Sequence, residues 1–167
     1  PEAQLDRFLM HVLVDYPDVA GERAILALNR VEAKRSTSDE ELFTPQTALK
    51  QGEVLAARQD VLKLHLSEPL EEYIVQIVLA TRDSGRYGDD LQGLLQYGAS
   101  PRATIALDRC ARAHAWLTGR DYVTPEDIQS VARDVLRHRI LLSFEAEAAG
   151  RTPDQIVDML LDRIGVP

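Results

Sequence analysis

Cysteine is almost missing from this sequence. Cys110 stands alone among 167 residues, so no disulfide can close within the chain. Such sparing use fits a reducing, cytoplasmic setting. Aromatic residues reach only 5%, a thin supply for the strands of an all-β fold. Positive charge is also short, with 19 Lys and Arg against 27 Asp and Glu, a net −8. Nucleic-acid binding normally rests on a positive field, so no DNA or RNA partner is expected. No apolar run approaches the roughly 20 residues of a membrane span, and the opening residues lack a signal-peptide pattern. Membrane insertion is therefore not expected.

Chemical motifs are missing as well. The sequence contains no GxxxxGK[ST] phosphate loop, no GxGxxG and no GxSxG. The acidic stretch Ser38 to Glu41 follows Lys34 and Arg35 and no buried strand, so it does not suit a magnesium-holding pair. His11, His65, His114 and His138 are scattered without metal-ligand spacing, and no metal site is expected. A lone cysteine with scattered histidines makes no nucleophile case.

What is abundant is helix-forming. Leu, Ala, Val, Glu and Arg dominate, which predicts a mainly α fold, a helical bundle. Met10 to Val14 is the exception, a short β-rich run ending at Asp15-Tyr16-Pro17 that reads as one buried strand or an isolated apolar helix end. An amphipathic pattern begins at Pro1 itself, as expected of a segment cut from a longer chain. Helices are predicted from Asp18 to about Val31 and from Pro45 or Gly52 to Leu62, with Val54, Leu55, Val61 and Leu62 at helical spacing. Between them Glu32 to Thr44 reads as an exposed loop, and Lys63 to Leu66 as an extended connector. Four later helices share one start signal, a Ser or Thr cap with Pro in the first turn: Ser67-Glu68-Pro69, Ser100-Pro101, Thr124-Pro125 and Thr152-Pro153. Thr152 with Gln155 matches a capping box, and Thr124 with Asp127 approximates one. Apolar stripes follow, including Leu70, Ile74, Ile77 and Val78, then Ile128, Val131, Ala132, Val135 and Leu136, then Ile156, Val157, Leu160, Leu161 and Ile164.

Two segments suggest a site. In Glu2 to Phe8, apolar Leu5, Phe8 and Leu9 would anchor a turn and leave Asp6 and Arg7 outward, or Arg7 would simply pair with Asp6. In Tyr97 to Ala103 a glycine turn enters a capped helix with Arg102 in its first turn. Helix N-termini attract anions, and an arginine adds a charged donor for phosphate. On the helix from Pro101 to about Thr118, Ala103, Leu107, Cys110, His114 and Leu117 share a core face. Arg102, Ile105, Arg109, Arg112 and Trp116 share another, suited to an anionic partner or to solvent.

The series EAQLDRF, MHVLVDYP, LEEYIVQIVLATR, YGASPRATIAL and GRDYVTPEDIQSVARDVLRHRI, in that order, resembles the MoxR family of AAA+ ATPases. The resemblance covers most of the chain and is strongest over 1–17 and 67–142. It implies that 1–17 is the end of an αβα ATPase core, with Met10 to Val14 as its last strand. It makes 18–66 a helical connector and 67–167 a helical lid. It implies that Arg7 is an arginine finger acting on a neighbouring subunit's γ-phosphate, and that Arg102 is the second sensor arginine, in cis or in trans. It also implies ATP and Mg²⁺ in the intact parent and a homo-oligomeric, hexameric ring. Chaperone-like remodelling of a client protein and association with a von Willebrand factor A domain partner belong to the same expectation. Without a phosphate loop or acidic metal ligands, this stretch alone is expected to be inactive and to hold no nucleotide tightly. Two other readings remain at this point: an autonomous acidic helical interaction module with no ATPase parent, and the lid of a DNA-acting AAA+ relative, which the charge disfavours.

Overall fold

The structure, a computed structural model, describes residues 2–35 and 49–167. It divides into two compact units, 13–54 and a larger one of 1–12 with 55–167. In the smaller unit, α2 (Val19–Arg35) starts where the Asp18 carboxylate accepts the Gly21 N–H at 2.7 Å. The helix continues through Glu32 to Arg35, which corrects the predicted start of the loop. The rest of that predicted loop, and Pro45, lie outside the described residues. α3 (Gln51–Lys63) runs across the boundary between the units and buries none of its residues, although Val54, Leu55 and Leu62 have helical spacing.

The larger unit opens with a single turn, α1 (Glu2–Leu5). Its bundle comprises α4 (Glu68–Arg82), α5 (Pro101–Leu117), α6 (Pro125–Leu136) and α8 (Pro153–Arg163), with the short α7 (Phe144–Ala148) before the last. Each long helix begins at its Ser/Thr-Pro signal. Thr152 and Gln155 close a capping box, and the Asp127 carboxylate accepts from both the N–H and the hydroxyl of Thr124 at 2.8 and 3.1 Å. Ser67 is the weak cap, since its hydroxyl makes no bond to the helix. The three stripes form the core: Ile74, Ile77, Ile128, Leu136 and Ile156 are all but sealed from solvent, each worth about 1.5–3 kcal/mol of burial. α5 contributes small residues (Ala103, Ala106, Ala111 and Ala115) with Leu107 and Cys110, and packs most extensively against α6. Burial raises the Cys110 thiol pKa above its ordinary value. Two residues predicted on that core face behave otherwise. Leu117, at the end of α5, is 76% exposed, and His114 is partly exposed with Nδ1 2.7 Å from Asp127 Oδ1.

Met10 to Val14 is not a strand. A strand needs a lateral partner for its backbone groups, and the sheet among the described residues lies elsewhere. β1 (Leu95–Tyr97) pairs antiparallel with β2 (Leu141–Leu142), Leu95 opposite Leu142 and Tyr97 opposite Leu141. The His11 N–H instead donates to the Asp134 carbonyl at 2.8 Å, and Met10 packs against the core. The predicted connector from Lys63 to Leu66 is shorter than expected, because Lys63 is still the last residue of α3, and within it His65 bridges in parallel to Tyr122. No helix among the described residues is long and apolar enough to cross a membrane.

The turn from β1 into α5 is fixed to the end of α4. The Ala99 N–H donates to Thr81 Oγ1 at 2.9 Å, and Arg82 Nε donates to the Ala99 carbonyl at 2.8 Å. Gly98 lets the two backbones meet. A Cβ there would lie 2.4 Å from the Thr81 carbonyl oxygen and 2.7 Å from Arg82 Cα, and backbone cannot yield as a side-chain tip can. Gly98→Ala is therefore expected to cost about 1–3 kcal/mol, read as a lower urea midpoint with an unchanged slope.

Candidate functional site

The site grows from the N-terminal turn and the start of α5. Asp6 is its hub. Ser100 Oγ donates to both Asp6 carboxylate oxygens, at 3.0 and 2.8 Å, while itself accepting the Arg102 N–H at 3.2 Å. Arg102 Nε stands 3.7 Å from Asp6 Oδ2, and Arg139 Nε stands 3.3 Å from Asp6 Oδ1. The helix cap is thus also the dock for the N-terminal turn. The prediction that apolar side chains anchor this turn is corrected: Leu5, Phe8 and Leu9 are exposed, whereas Asp6 is half-buried. Arg7 does not pair with Asp6, because other donors already take that carboxylate.

One cleft collects Asp6, Arg7, Arg102, Ile105, Arg109 and Arg139. It gathers four guanidinium groups and one carboxylate on a chain whose net charge is −8. Among the described residues, the Arg7 and Arg109 guanidiniums take part in no hydrogen bond or ion pair. Unneutralised cations converging on a cleft favour an oxyanion with several oxygens, and arginine is suited to phosphate. Arg112 does not belong here. Its Nε bonds Asp108 at 2.8 Å, and a terminal N–H donates to the Leu64 carbonyl, so it serves packing. Trp116 lines a separate surface hollow with Lys63, Leu64 and Arg120. The predicted Arg/Trp face is therefore two unrelated surfaces. Among the described residues no group of three or more His, Cys, Asp or Glu could hold a metal ion.

Behind the cleft, the Arg137-His138-Arg139 run grips the chain from Asp6 to His11. Arg137 donates to the His11 carbonyl at 2.8 Å, and His138 Nε2 lies 3.2 Å from the Phe8 carbonyl oxygen. Arg139 donates to the carbonyls of Leu9 at 3.2 Å, Asp6 at 3.4 Å and Phe8. Burial lowers the pKa of Arg139, and the Asp6 carboxylate opposes that shift. Burial likewise lowers the pKa of His138, partly offset by its bond to Phe8.

Comparison with known proteins gives this geometry a family. Residues 91–160 match the AAA lid domain. Chaperone MoxR1 of Mycobacterium tuberculosis is 33% identical over 168 residues, covering 100% of this chain and 42% of its own length. Protein MoxR of Paracoccus denitrificans is 33% identical over 184 residues, covering 100% of this chain and 51% of its own. A solved structure from Cytophaga hutchinsonii, described as a candidate ATPase, superposes with a TM-score of 0.88 at 39% identity, covering 100% of this chain and 49% of that one. The chain belongs to the MoxR family of AAA+ ATPases. It spans about half the length of the curated relatives it matches.

As a MoxR-family chain it carries the lid portion, and the reading as a helical module without ATPase kin gives way. Sequence reasoning named Arg7 and Arg102, and the fold brings them to one cleft. It missed Asp6 as the hub and the whole Arg137-His138-Arg139 grip. A faint signal existed, since three basic or polar residues follow the last turn of α6, where free carbonyls and the helix dipole favour cations.

Proposed function

We propose that this chain is the lid and the arginine-bearing end of an ATP-driven ring that remodels client proteins in the cytoplasm. Residues 1–17 complete the ATPase core, 18–66 connect, and 67–167 form the lid. Arg7 acts as the arginine finger and Arg102 as the second sensor arginine. The observation that supports the reading is the shared cleft: Arg7 and Arg102 line one surface of one subunit. If Arg7 reaches a neighbour's phosphate, Arg102 is carried to that same phosphate, so both act in trans.

This chain's part is phosphate recognition, and its cationic cleft fits that role. When bound, ATP–Mg²⁺ supplies a terminal phosphoryl group whose transfer to water releases the free energy for remodelling. Arg7 and Arg102 offer guanidinium donors where negative charge develops. Asp6 and Ser100 keep the two arginines in register. The ring is expected to be hexameric, and a von Willebrand factor A domain protein is an expected associate.

In the intact ATPase, Arg102→Ala is expected to lower turnover by about 10²–10³-fold, the usual cost of one transition-state donor. Mixed rings test the shared site. Arg7→Ala subunits combined with Arg102→Ala subunits are expected to recover nothing, because every donor subunit lacks one arginine. Restored turnover in the mixture would mean that the two arginines serve different nucleotides, and the trans assignment of Arg102 would be withdrawn.

A further inference from the structure

We infer that Arg139 is the positioning residue for Arg7, an inference that rests on the arginine-finger reading above. The turn from Asp6 to Leu9 lies in neither helix nor strand, and its apolar side chains are exposed, so burial does not hold it. Ser100 holds its Asp6 end, and the Arg7 and Phe8 N–H groups bond the Gln4 and Leu5 carbonyls within the turn, but the group that ties the backbone on both sides of Arg7 to the bundle is one guanidinium. The Arg139 side chain is only 2% exposed and sits beneath the turn. Its N–H groups donate to the Asp6 carbonyl, immediately before Arg7, and to the Phe8 and Leu9 carbonyls after it. The same guanidinium is fastened to α6 through the Val135 carbonyl, and its Nε faces the Asp6 carboxylate at 3.3 Å. The backbone on both sides of Arg7 is thereby tied to the lid, while the Arg7 side chain stays free.

The chemistry requires arginine. Its planar fork carries five donors in fixed directions, enough to serve several carbonyls at once. A lysine would keep the charge opposite Asp6 but not the fork. Nearby groups reinforce the hold: His11 N–H on the Asp134 carbonyl, Arg137 on the His11 carbonyl and His138 on the Phe8 carbonyl. None of them spans Arg7. A finger set about one ångström out of place loses up to about a hundredfold in rate even when its own side chain is intact.

The experiment uses Arg139→Lys and Arg139→Met. In this chain, amide hydrogen exchange at Arg7, Phe8 and His11 is expected to speed up by about tenfold or more, while α5 and α6 amides keep their protection. In the intact ATPase, kcat is expected to fall by about tenfold to a hundredfold, with KM for ATP and ring size unchanged. Lysine is expected not to rescue. Arg139→Lys keeps the buried charge paired with Asp6, so it reports even if Arg139→Met fails to fold. Unchanged exchange at all three amides in Arg139→Lys would overturn the inference. So would wild-type kcat in a ring whose Arg7→Ala counterpart has lost turnover. If Arg7→Ala itself keeps full turnover, the finger reading fails, and the amide measurement still decides whether Arg139 fixes the turn.

Discussion

Replacing Arg7 by alanine is expected to leave ATP binding and ring assembly intact and to lower turnover by about 10³-fold or more. The expectation rests on where Arg7 stands. Its backbone is tied down through the Asp6 carboxylate and Arg139, yet its guanidinium lines a cleft without an ion-pair partner among the described residues. A residue held for stability would show the opposite pattern, a paired head and no cleft, as Arg112 does with Asp108. Removing the Arg7 side chain should therefore cost the fold little. Steady-state turnover, nucleotide titration and sedimentation of the same preparation separate the three quantities. Full turnover in a ring that binds ATP normally would sink the finger assignment.

The largest expected loss of stability comes from Asp127. Its carboxylate is sealed from solvent and receives two short bonds from Arg120, at 2.6 and 2.5 Å. His114 Nδ1 lies 2.7 Å away, and Thr124 supplies its N–H and hydroxyl. This one group closes the N-terminus of α6, ties that helix to α5, and holds the loop between them. Asp127→Ala removes the cap and leaves Arg120 without its partner, at an expected cost of about 3–5 kcal/mol. At about 2–4 °C per kcal/mol for a chain of this size, the midpoint falls by roughly 10 °C.

Acid should expose the same group. Burial alone would raise the Asp127 pKa, but the bonds from Arg120, the Thr124 N–H, His114 and the Thr124 hydroxyl together hold it well below the usual carboxylate range. A depressed folded-state pKa adds stability that is complete above the unfolded value, near 4, and is lost as pH falls toward the folded one. The wild-type chain should lose stability on acidification below about pH 4 more steeply than Asp127→Ala. Parallel stability-against-pH curves for the two proteins would show that the carboxylate is not the linked group.

Local signals made the bundle legible. Ser100-Pro101 or Thr152-Pro153 announces a helix start within three residues, and the stripe that follows needs no distant information. The β1–β2 pair and the grip of Arg139 on the N-terminal turn were not legible for the converse reason. Their partners are backbone carbonyls up to about 130 positions away, and every residue carries a carbonyl, so no side-chain pattern marks the acceptor. Arg109 and Arg112 illustrate the difference within one helix. Both looked outward on a helical wheel. The Asp108–Arg112 spacing of four was a readable hint of pairing, but the Leu64 carbonyl that completes the Arg112 site was not. Met10 to Val14 failed differently: its β propensity is real, but propensity supplies no neighbouring strand. Arg7 and Arg102 were reached through motif resemblance, and their common cleft required the fold.

Cys110 gives the chain a built-in reporter. It is the only thiol, it sits on the buried side of α5, and burial keeps it protonated. A thiol reagent can meet it only when α5 separates from its neighbours. The labelling rate under native conditions therefore measures how often the bundle opens, without denaturant and without an introduced probe. The same sulfur can then rank Gly98→Ala, Asp127→Ala and Arg139→Lys by their effect on opening, at whatever pH the labelling chemistry allows.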